Sequence, residues 1–260
     1  MVKNVKNVVK NVRFGIDNFG IWRYRELITL YTAVGKYSLK KNNDGMLYPS
    51  VTVNLQEKAL GIDEMILWST LLWNIMTVDE LKDAYSKKAM DLDRDPERFE
   101  EVLRRLTLRD LVVSASAVKG DEALYKLLSD LYIVPIKSRV RAKIWTFLNL
   151  IFKEHVPFSL AKKVLHKEVY TEMENKVLHL TMQSLLSSAE VVKCIGTKVT
   201  DVSSREKVLE ALYDDDVSTC DNLGQMIWLF DEHKSVMEAI STLYLNRNIV
   251  FDKLRNESKV

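Results

Sequence analysis

The sequence predicts a mainly α protein with short β strands, built from repeated units in which three helices precede a strand. Glycine and proline are scarce, with 8 and 4 among 260 residues. Few positions are therefore available for the tight turns that sheet-dominated folds require. Hydrophobic residues make up 47% and charged residues 28% of the chain, the balance of an ordinary globular protein. Helix-start signals followed by apolar residues at helical spacing recur along the chain, which favours repeated helical units.

Residues 1–49 are predicted to form a basic, helical N-terminal arm. Valines recur at helical spacing near the start, and basic residues fall on a neighbouring face: Val2, Val5, Val9 and Val12, with Lys3, Lys6, Lys10 and Arg13. The helical pattern continues over Tyr24–Tyr37, and a polar turn follows. A mobile basic segment is the alternative interpretation, because valine and asparagine are mediocre helix formers.

Residues 50–135 are predicted to form the first complete unit. Thr77 and Glu80 have the spacing of a capping box, in which each side chain accepts a hydrogen bond from the other residue's backbone N–H. Asp95-Pro96 is a second helix-start signal, an acidic N-cap followed by proline. The predicted elements are a strand at Ser50–Leu55, helices from Asp63, Thr77 and Pro96, a strand from Asp110 to Val113, and a helix from Asp121.

Two further units are predicted over residues 136–200 and 201–260. In the second, helices over Arg139–Lys153 and Ser159–His166 precede a capping box at Thr171–Glu174, and Val191–Ile195 is predicted to be the closing strand. In the third, which is acidic, helices start near Ser204, Ser218 and Asp231, and Ile249–Phe251 is the closing strand.

These units resemble winged helix-turn-helix domains. Thr77–Tyr85, Phe99–Val113 and Ser218–Phe251 are similar to the second helix, third helix and first wing strand of that superfamily. The resemblance implies tandem winged-helix-like units, and in DNA-binding members the third helix enters the major groove. Residues 50–113 also resemble the small winged-helix modules that recognise leader peptides for peptide-modifying enzymes. That second resemblance implies peptide binding.

Clustered cations predict double-stranded DNA as a partner, and hence a DNA-binding transcriptional regulator that dimerises. The candidate contacts on and around the third helix of the first unit, and on the basic run after it, are Arg94, Arg98, Arg104, Arg105, Arg109, Lys119, Lys137, Arg139, Arg141 and Lys143. Glu97, Glu100 and Glu101 alternate with the arginines, so a solvated, salt-bridged helix face is an equally good interpretation of that helix.

The charge distribution keeps a second function open, namely a protein or peptide-interaction scaffold. The net charge is only +2. Residues 1–60 hold ten Lys and Arg against four Asp and Glu, whereas residues 201–260 hold seven against twelve. An acidic surface opposes contact with phosphates. In this alternative an extended peptide pairs with a strand edge beside the third helix.

Signals for catalysis, cofactors and membrane insertion are missing from the sequence. It has no glycine-rich phosphate loop, no zinc-binding histidine or cysteine pair and no nucleophile elbow, so we expect a non-enzymatic protein without metal or cofactor. The two cysteines suggest no disulfide framework, which predicts a reducing, cytoplasmic compartment. The longest apolar stretches are too short for a transmembrane helix, so we expect no membrane partner.

Overall fold

The computed structural model describes residues 13–16, 22–25, 27–136, 154, 170–214, 218–219 and 222–254. The strands are β1 (Arg13–Ile16), β2 (Trp22–Arg25), β3 (Ile28–Ala33), β4 (Lys36–Lys41), β5 (Leu47–Val53), β6 (Gln56–Ala59), β7 (Met76–Thr77), β8 (Val112–Ala117), β9 (Tyr132–Pro135), β10 (Leu186–Ser187) and β11 (Ile249–Asp252). The helices are α1 (Ile62–Leu71), α2 (Val78–Asp91), α3 (Phe99–Leu108), α4 (Gly120–Leu128), α5 (Glu172–Gln183), α6 (Ser188–Gly196), α7 (Arg205–Tyr213), α8 (Leu223–Met226) and α9 (His233–Leu245). Short 3₁₀ turns at Pro96–Arg98 and Ile227–Leu229 lead into α3 and follow α8.

The chain is mixed α and β, so the predicted mainly α class is wrong. In the described residues the strands form three three-stranded antiparallel sheets, ordered β7-β3-β8, β4-β5-β6 and β10-β9-β11, and a separate β1-β2 pair. Many of the strand residues that were not predicted lie in residues 1–49, the segment that was predicted to be a helical arm. Residues 1–12 of that arm lie outside the described residues.

The helix predicted over Tyr24–Tyr37 is wrong because this segment forms the end of β2, all of β3 and the start of β4. β3 is rich in β-branched and aromatic residues, which favour a pleated, half-buried strand over a helix. Gly35 separates β3 from β4 with a φ of +99°. A Cβ at this position would lie 2.5 Å from a methyl carbon of Val51, so only glycine fits the turn.

The strand predicted at Val191–Ile195 is also wrong, since these residues lie inside α6. Ser187 and Glu190 form a capping box that begins this helix: the Ser187 hydroxyl accepts from the Glu190 N–H, and the Glu190 carboxylate accepts from the Ser187 N–H. The capping boxes predicted at Thr77 and Thr171 are confirmed. Local capping therefore decides the helix start even where β-branched residues follow.

The structure contains an internal repeat whose strand order differs from the predicted units. In the first half, α1, β7, α2, α3 and β8 follow in sequence, and β3 pairs between β7 and β8. In the second half α5, β10, α6, α9 and β11 follow in the same order, and β9 pairs between β10 and β11. In the two repeated sheets the central strand, β3 or β9, precedes the helices of its half in sequence. Each half therefore extends across a predicted boundary, the first at residue 49 and the second at residue 135.

The two halves join through a buried tyrosine hydroxyl. Tyr244 of α9 donates a hydrogen bond to the Thr32 hydroxyl at 2.8 Å and accepts one from the Trp73 N–H at 2.9 Å. Thr32 donates in turn to the Asn74 carbonyl at 2.9 Å. Thr32 and Tyr244 are fully buried, so these bonds satisfy polar groups that water does not reach.

Candidate functional site

Two buried carboxylates at the start of α1 form the base of the candidate site. The side chains of Asp63 and Glu64 are only 11% and 4% exposed. The Gly61 N–H donates to Glu64 Oε2 at 2.9 Å, which uses one of the unpaired N–H groups at the helix start. Because burying an unpaired charge is costly, both carboxylates require cationic partners.

Asp63 is held between two arginines that come before and at the start of α3. Arg94 Nε donates to Asp63 Oδ1 at 2.8 Å, and Arg98 Nη1 donates to Asp63 Oδ2 at 2.6 Å. Each carboxylate oxygen thus accepts a charge-assisted hydrogen bond, the stronger class of protein hydrogen bond. These contacts fix both guanidinium groups against the start of α1.

Glu64 is paired with two arginines from the end of α3. Arg109 Nη1 donates to Glu64 Oε2 at 2.8 Å. Arg105 Nη2 lies 3.3 Å from Glu64 Oε1, close enough for an ion pair but not aligned for a hydrogen bond. Glu101 links Arg98 and Arg105, with an oxygen 3.5 Å from each guanidinium. We call the four guanidinium groups the arginine row: Arg94, Arg98, Arg105 and Arg109.

The arginine row faces outwards as well as towards α1. Arg98, Arg105 and Arg109 recur at helical spacing along one side of α3. The side chains of the row are between 33% and 47% exposed. A guanidinium has five N–H donors, and the buried carboxylates use only some of them. The row therefore presents oriented donors to a ligand that carries an anionic oxygen.

The electrostatics of the two carboxylates agree with this arrangement. The hydrogen bond from Arg94 lowers the pKa of Asp63, and the nearby positive charges add to that effect. Burial acts to raise the pKa of Glu64, but the Gly61 N–H and Arg109 together outweigh burial, and the pKa is lowered. Both groups are therefore anionic at neutral pH.

An unpaired strand edge lies beside the arginine row. β6 is at the edge of the β4-β5-β6 sheet, with no further strand beside it in the described part of the chain. The Leu60 N–H donates to the Pro49 carbonyl, so even-numbered positions of this segment point towards β5. Backbone groups of Glu57 and Ala59 therefore point to the open edge. Arg109 Nη2 donates to the Ala59 carbonyl at 2.5 Å, which shows that the edge and the row are in contact.

The structure brings together four of the ten predicted DNA-contact residues. Arg104 lies on the exposed face of α3, outside the arginine row, and Lys119 is the exposed N-cap of α4. The other four, Lys137, Arg139, Arg141 and Lys143, lie outside the described residues. The segment from residue 97 to residue 110 holds four arginines and four acidic residues, so its formal net charge is zero.

Sequence reasoning missed Asp63, Glu64 and the β6 edge. An acidic pair in the first turn of a helix is ordinary, because acids there favour the helix dipole. The available signal was the number of arginines spaced along one face of the third helix, which implies carboxylate partners elsewhere. Which carboxylates those are depends on α1 packing against α3, and the sequence does not show this.

The described residues indicate neither a metal site nor a membrane-spanning helix. They contain no group of three or more His, Cys, Asp or Glu side chains that could hold a metal ion. None of their helices combines the length and apolar character needed to cross a membrane. No protein-family model, curated protein or solved structure matches the chain. The winged-helix resemblance and the division at residues 49, 135 and 200 stay predictions.

Proposed function

We propose that this chain is a non-enzymatic binding protein that holds an extended, acidic peptide along the open edge of β6. The observation that carries the proposal is the contact between that edge and the arginine row. An extended segment added to an edge strand gains main-chain hydrogen bonds, and adjacent side chains supply specificity. Here the side chains that would supply it are arginines.

The edge itself offers room for one short strand. Three backbone groups on this edge point outwards: the N–H and the C=O of Glu57 and the N–H of Ala59. Both residues are exposed. The Ala59 carbonyl already accepts from Arg109, so a peptide in this register would have Glu57 as its central pairing partner. Charged side chains on an edge strand discourage indiscriminate pairing with other strands.

The arginine row favours a peptide with carboxylate side chains. Asp63 and Glu64 fix the guanidinium groups before a ligand arrives, so less side-chain entropy is lost on binding. Arginine and carboxylate match as planar groups that form paired hydrogen bonds. Four arginines against Asp63, Glu64 and Glu101 leave one positive charge in the cluster, enough to prefer an anionic side chain over a neutral one.

Double-stranded DNA is the second candidate, and the same clustering of four arginines favours it. The zero net charge of the segment from residue 97 to residue 110 opposes it, because duplex affinity depends on a surplus of cations at the phosphates. The two candidates differ in the groups they need. Peptide pairing needs the backbone of β6, whereas phosphate binding does not.

A displayed library of random peptides of about ten residues, selected on the immobilised full chain, tests the proposal. Individual selected peptides are then measured by fluorescence polarisation against matched variants. Glu57→Pro removes an outward N–H, and Glu57→Ala removes the same side chain but keeps that N–H. Arg105→Gln removes a charge from the row, and Arg104→Gln removes the neighbouring charge outside it. Thermal denaturation of each variant establishes that it is folded.

We expect acidic sequences to be enriched, and their affinity to fall about tenfold or more in Glu57→Pro and in Arg105→Gln. Glu57→Ala and Arg104→Gln should stay within about twofold, since neither removes a proposed contact. Peptide binding that survives Glu57→Pro would reject strand pairing. A duplex of about 20 base pairs, measured at about 50 mM and about 200 mM salt, is the comparison. Steeply salt-dependent duplex binding, lost equally in both arginine variants, would favour DNA instead.

A further inference from the structure

The internal repeat provides two equivalent grooves, and in the first half a phenol ring fills the groove. It lies between the end of β3, in the segment Tyr31–Val34, and the segment Leu71–Ile75, which runs from the last residue of α1 to the residue before β7. The Tyr244 ring enters from α9 and packs on Phe251, with ring centroids 4.5 Å apart. Its hydroxyl contacts Thr32, the Trp73 N–H and the Leu71 and Ala33 carbonyls. We call this groove the tyrosine socket.

The backbone pairing identifies the residues of the second half that correspond to the socket. The Val34 N–H donates to the Leu111 carbonyl, and the Ile136 N–H donates to the Asn248 carbonyl in the same place. Leu30 pairs with Thr77 at the N-cap of α2, and Tyr132 pairs with Ser187 at the N-cap of α6. Ile133–Ile136 therefore corresponds to Tyr31–Val34. Counting back from the two N-caps makes Thr181–Leu185 the counterpart of Leu71–Ile75.

These counterparts line a cavity of about 660 Å³, and all nine of them border it. Parts of the first half complete the walls, chiefly Tyr37, Leu72 and Trp73. No described side chain enters this cavity as Tyr244 enters the socket. The residue of α3 that corresponds to Tyr244 of α9 is Thr107. Its hydroxyl donates to the Leu103 carbonyl of its own helix. A mostly apolar space of this size with a few polar groups is typical of small-molecule sites.

We propose that this second cavity binds a small, neutral aromatic molecule that carries a hydroxyl group, as the first holds the phenol of Tyr244. The ring would lie between apolar walls that include Val134, Met182 and Trp73. The proposal is independent of peptide binding at β6, because the two sites share no residue.

A backbone carbonyl gives the hydroxyl its partner. The Ile136 N–H points towards β11, where it donates to the Asn248 carbonyl. Because successive backbone groups of a strand point to opposite sides, the Pro135 carbonyl points away from β11, to the side where β10 has ended after two residues. In the first half the corresponding carbonyl, that of Ala33, lies 3.4 Å from the Tyr244 hydroxyl. One difference is that Val134 stands where Thr32 accepts from Tyr244, so the second cavity lacks that hydroxyl.

This difference supplies a gain-of-binding test. Para-cresol is the probe, because it is the tyrosine side chain as a free molecule, and toluene is the same ring without the hydroxyl. Both are titrated into the full chain, and the indole N–H signal of Trp73 is followed in proton–nitrogen correlation spectra. Val134→Thr restores the hydroxyl of the first socket, Val134→Ala is its control, and Val134→Phe fills the space.

We expect para-cresol to bind about fivefold more tightly than toluene, since it adds one hydrogen bond. Val134→Thr should strengthen para-cresol binding about threefold or more and leave toluene unchanged, and Val134→Phe should abolish both. A gain of affinity cannot arise from a variant that fails to fold. Equal affinity for the two probes, no binding by the unmodified chain, or binding that persists in Val134→Phe would overturn the proposal.

Discussion

Replacing Tyr244 by phenylalanine should destabilise the protein through the loss of a single oxygen atom. The ring stays and keeps its packing on Phe251, but the Trp73 N–H loses its acceptor and Thr32 loses a donor. A typical intramolecular hydrogen bond contributes about 1 kcal/mol, and a buried donor left without a partner costs about 1–3 kcal/mol. Two bonds are lost and one buried N–H is left unpaired, so we expect about 2–4 kcal/mol.

Urea denaturation followed by circular dichroism measures this loss. The midpoint should fall while the dependence of unfolding free energy on urea stays constant, because the surface exposed on unfolding is unchanged. Tyr37→Phe is the control: Tyr37 is 39% exposed and stacks on Trp68, so we expect a change within about 0.5 kcal/mol.

The double variant with Thr32→Val tests whether the two hydroxyls act together. Once Tyr244 has lost its hydroxyl, replacing Thr32 removes a group that has already lost one partner. The two effects should therefore be less than additive, with a coupling of about 1 kcal/mol. A loss below about 0.5 kcal/mol for Tyr244→Phe, or strict additivity, would refute the view that this hydroxyl joins the halves.

Two further predictions concern the Gly35 turn and the buried carboxylates. Gly35→Ala should destabilise the protein by about 2–4 kcal/mol, because backbone strain at φ +99° adds to a clash with Val51. The control is Gly45→Ala, which has φ +79° but no neighbour within reach, and it should cost about 1 kcal/mol. Equal urea midpoints for the two variants would contradict the clash. The lowered pKa of Asp63 stabilises the fold above the ordinary carboxyl range, and that stability is lost as the pH falls below about 4. Asp63→Asn should therefore flatten the fall in urea midpoint between about pH 7 and pH 3, and an unchanged fall would contradict this prediction.

Features that depend on a few neighbouring residues were predictable from the sequence. The capping box at Thr77 and Glu80 needs only residues three apart, and the structure confirms it. Pro96 after Asp95 likewise marks a real helical start, since the Asp95 side chain accepts from the Glu97 N–H. The clustering of Arg98, Arg105 and Arg109 on one side of α3 also follows from helical spacing alone.

Features that depend on distant partners were not predictable in this way. β3 is a strand because β7 and β8 pair with it on both sides, and those strands lie more than 40 residues further along the chain. The β-branched and aromatic residues of this segment favour a strand, but the strands that pair with it are known only from the fold. The mainly α prediction failed at this point.

The candidate site likewise has features that the sequence predicts and features that depend on the tertiary structure. The sequence by itself determined that helices begin after Thr77 and Thr171 and that cations line one face of α3, because both follow from local spacing. Only the tertiary structure decided that Asp63 and Glu64 orient those cations, that β6 leaves an edge beside them, and that Tyr244 fills one groove of the repeat while its counterpart stays a cavity. The physical reason is that helix capping and helical phase act within a few residues, whereas charge pairing and strand pairing join groups that only the folded chain brings together.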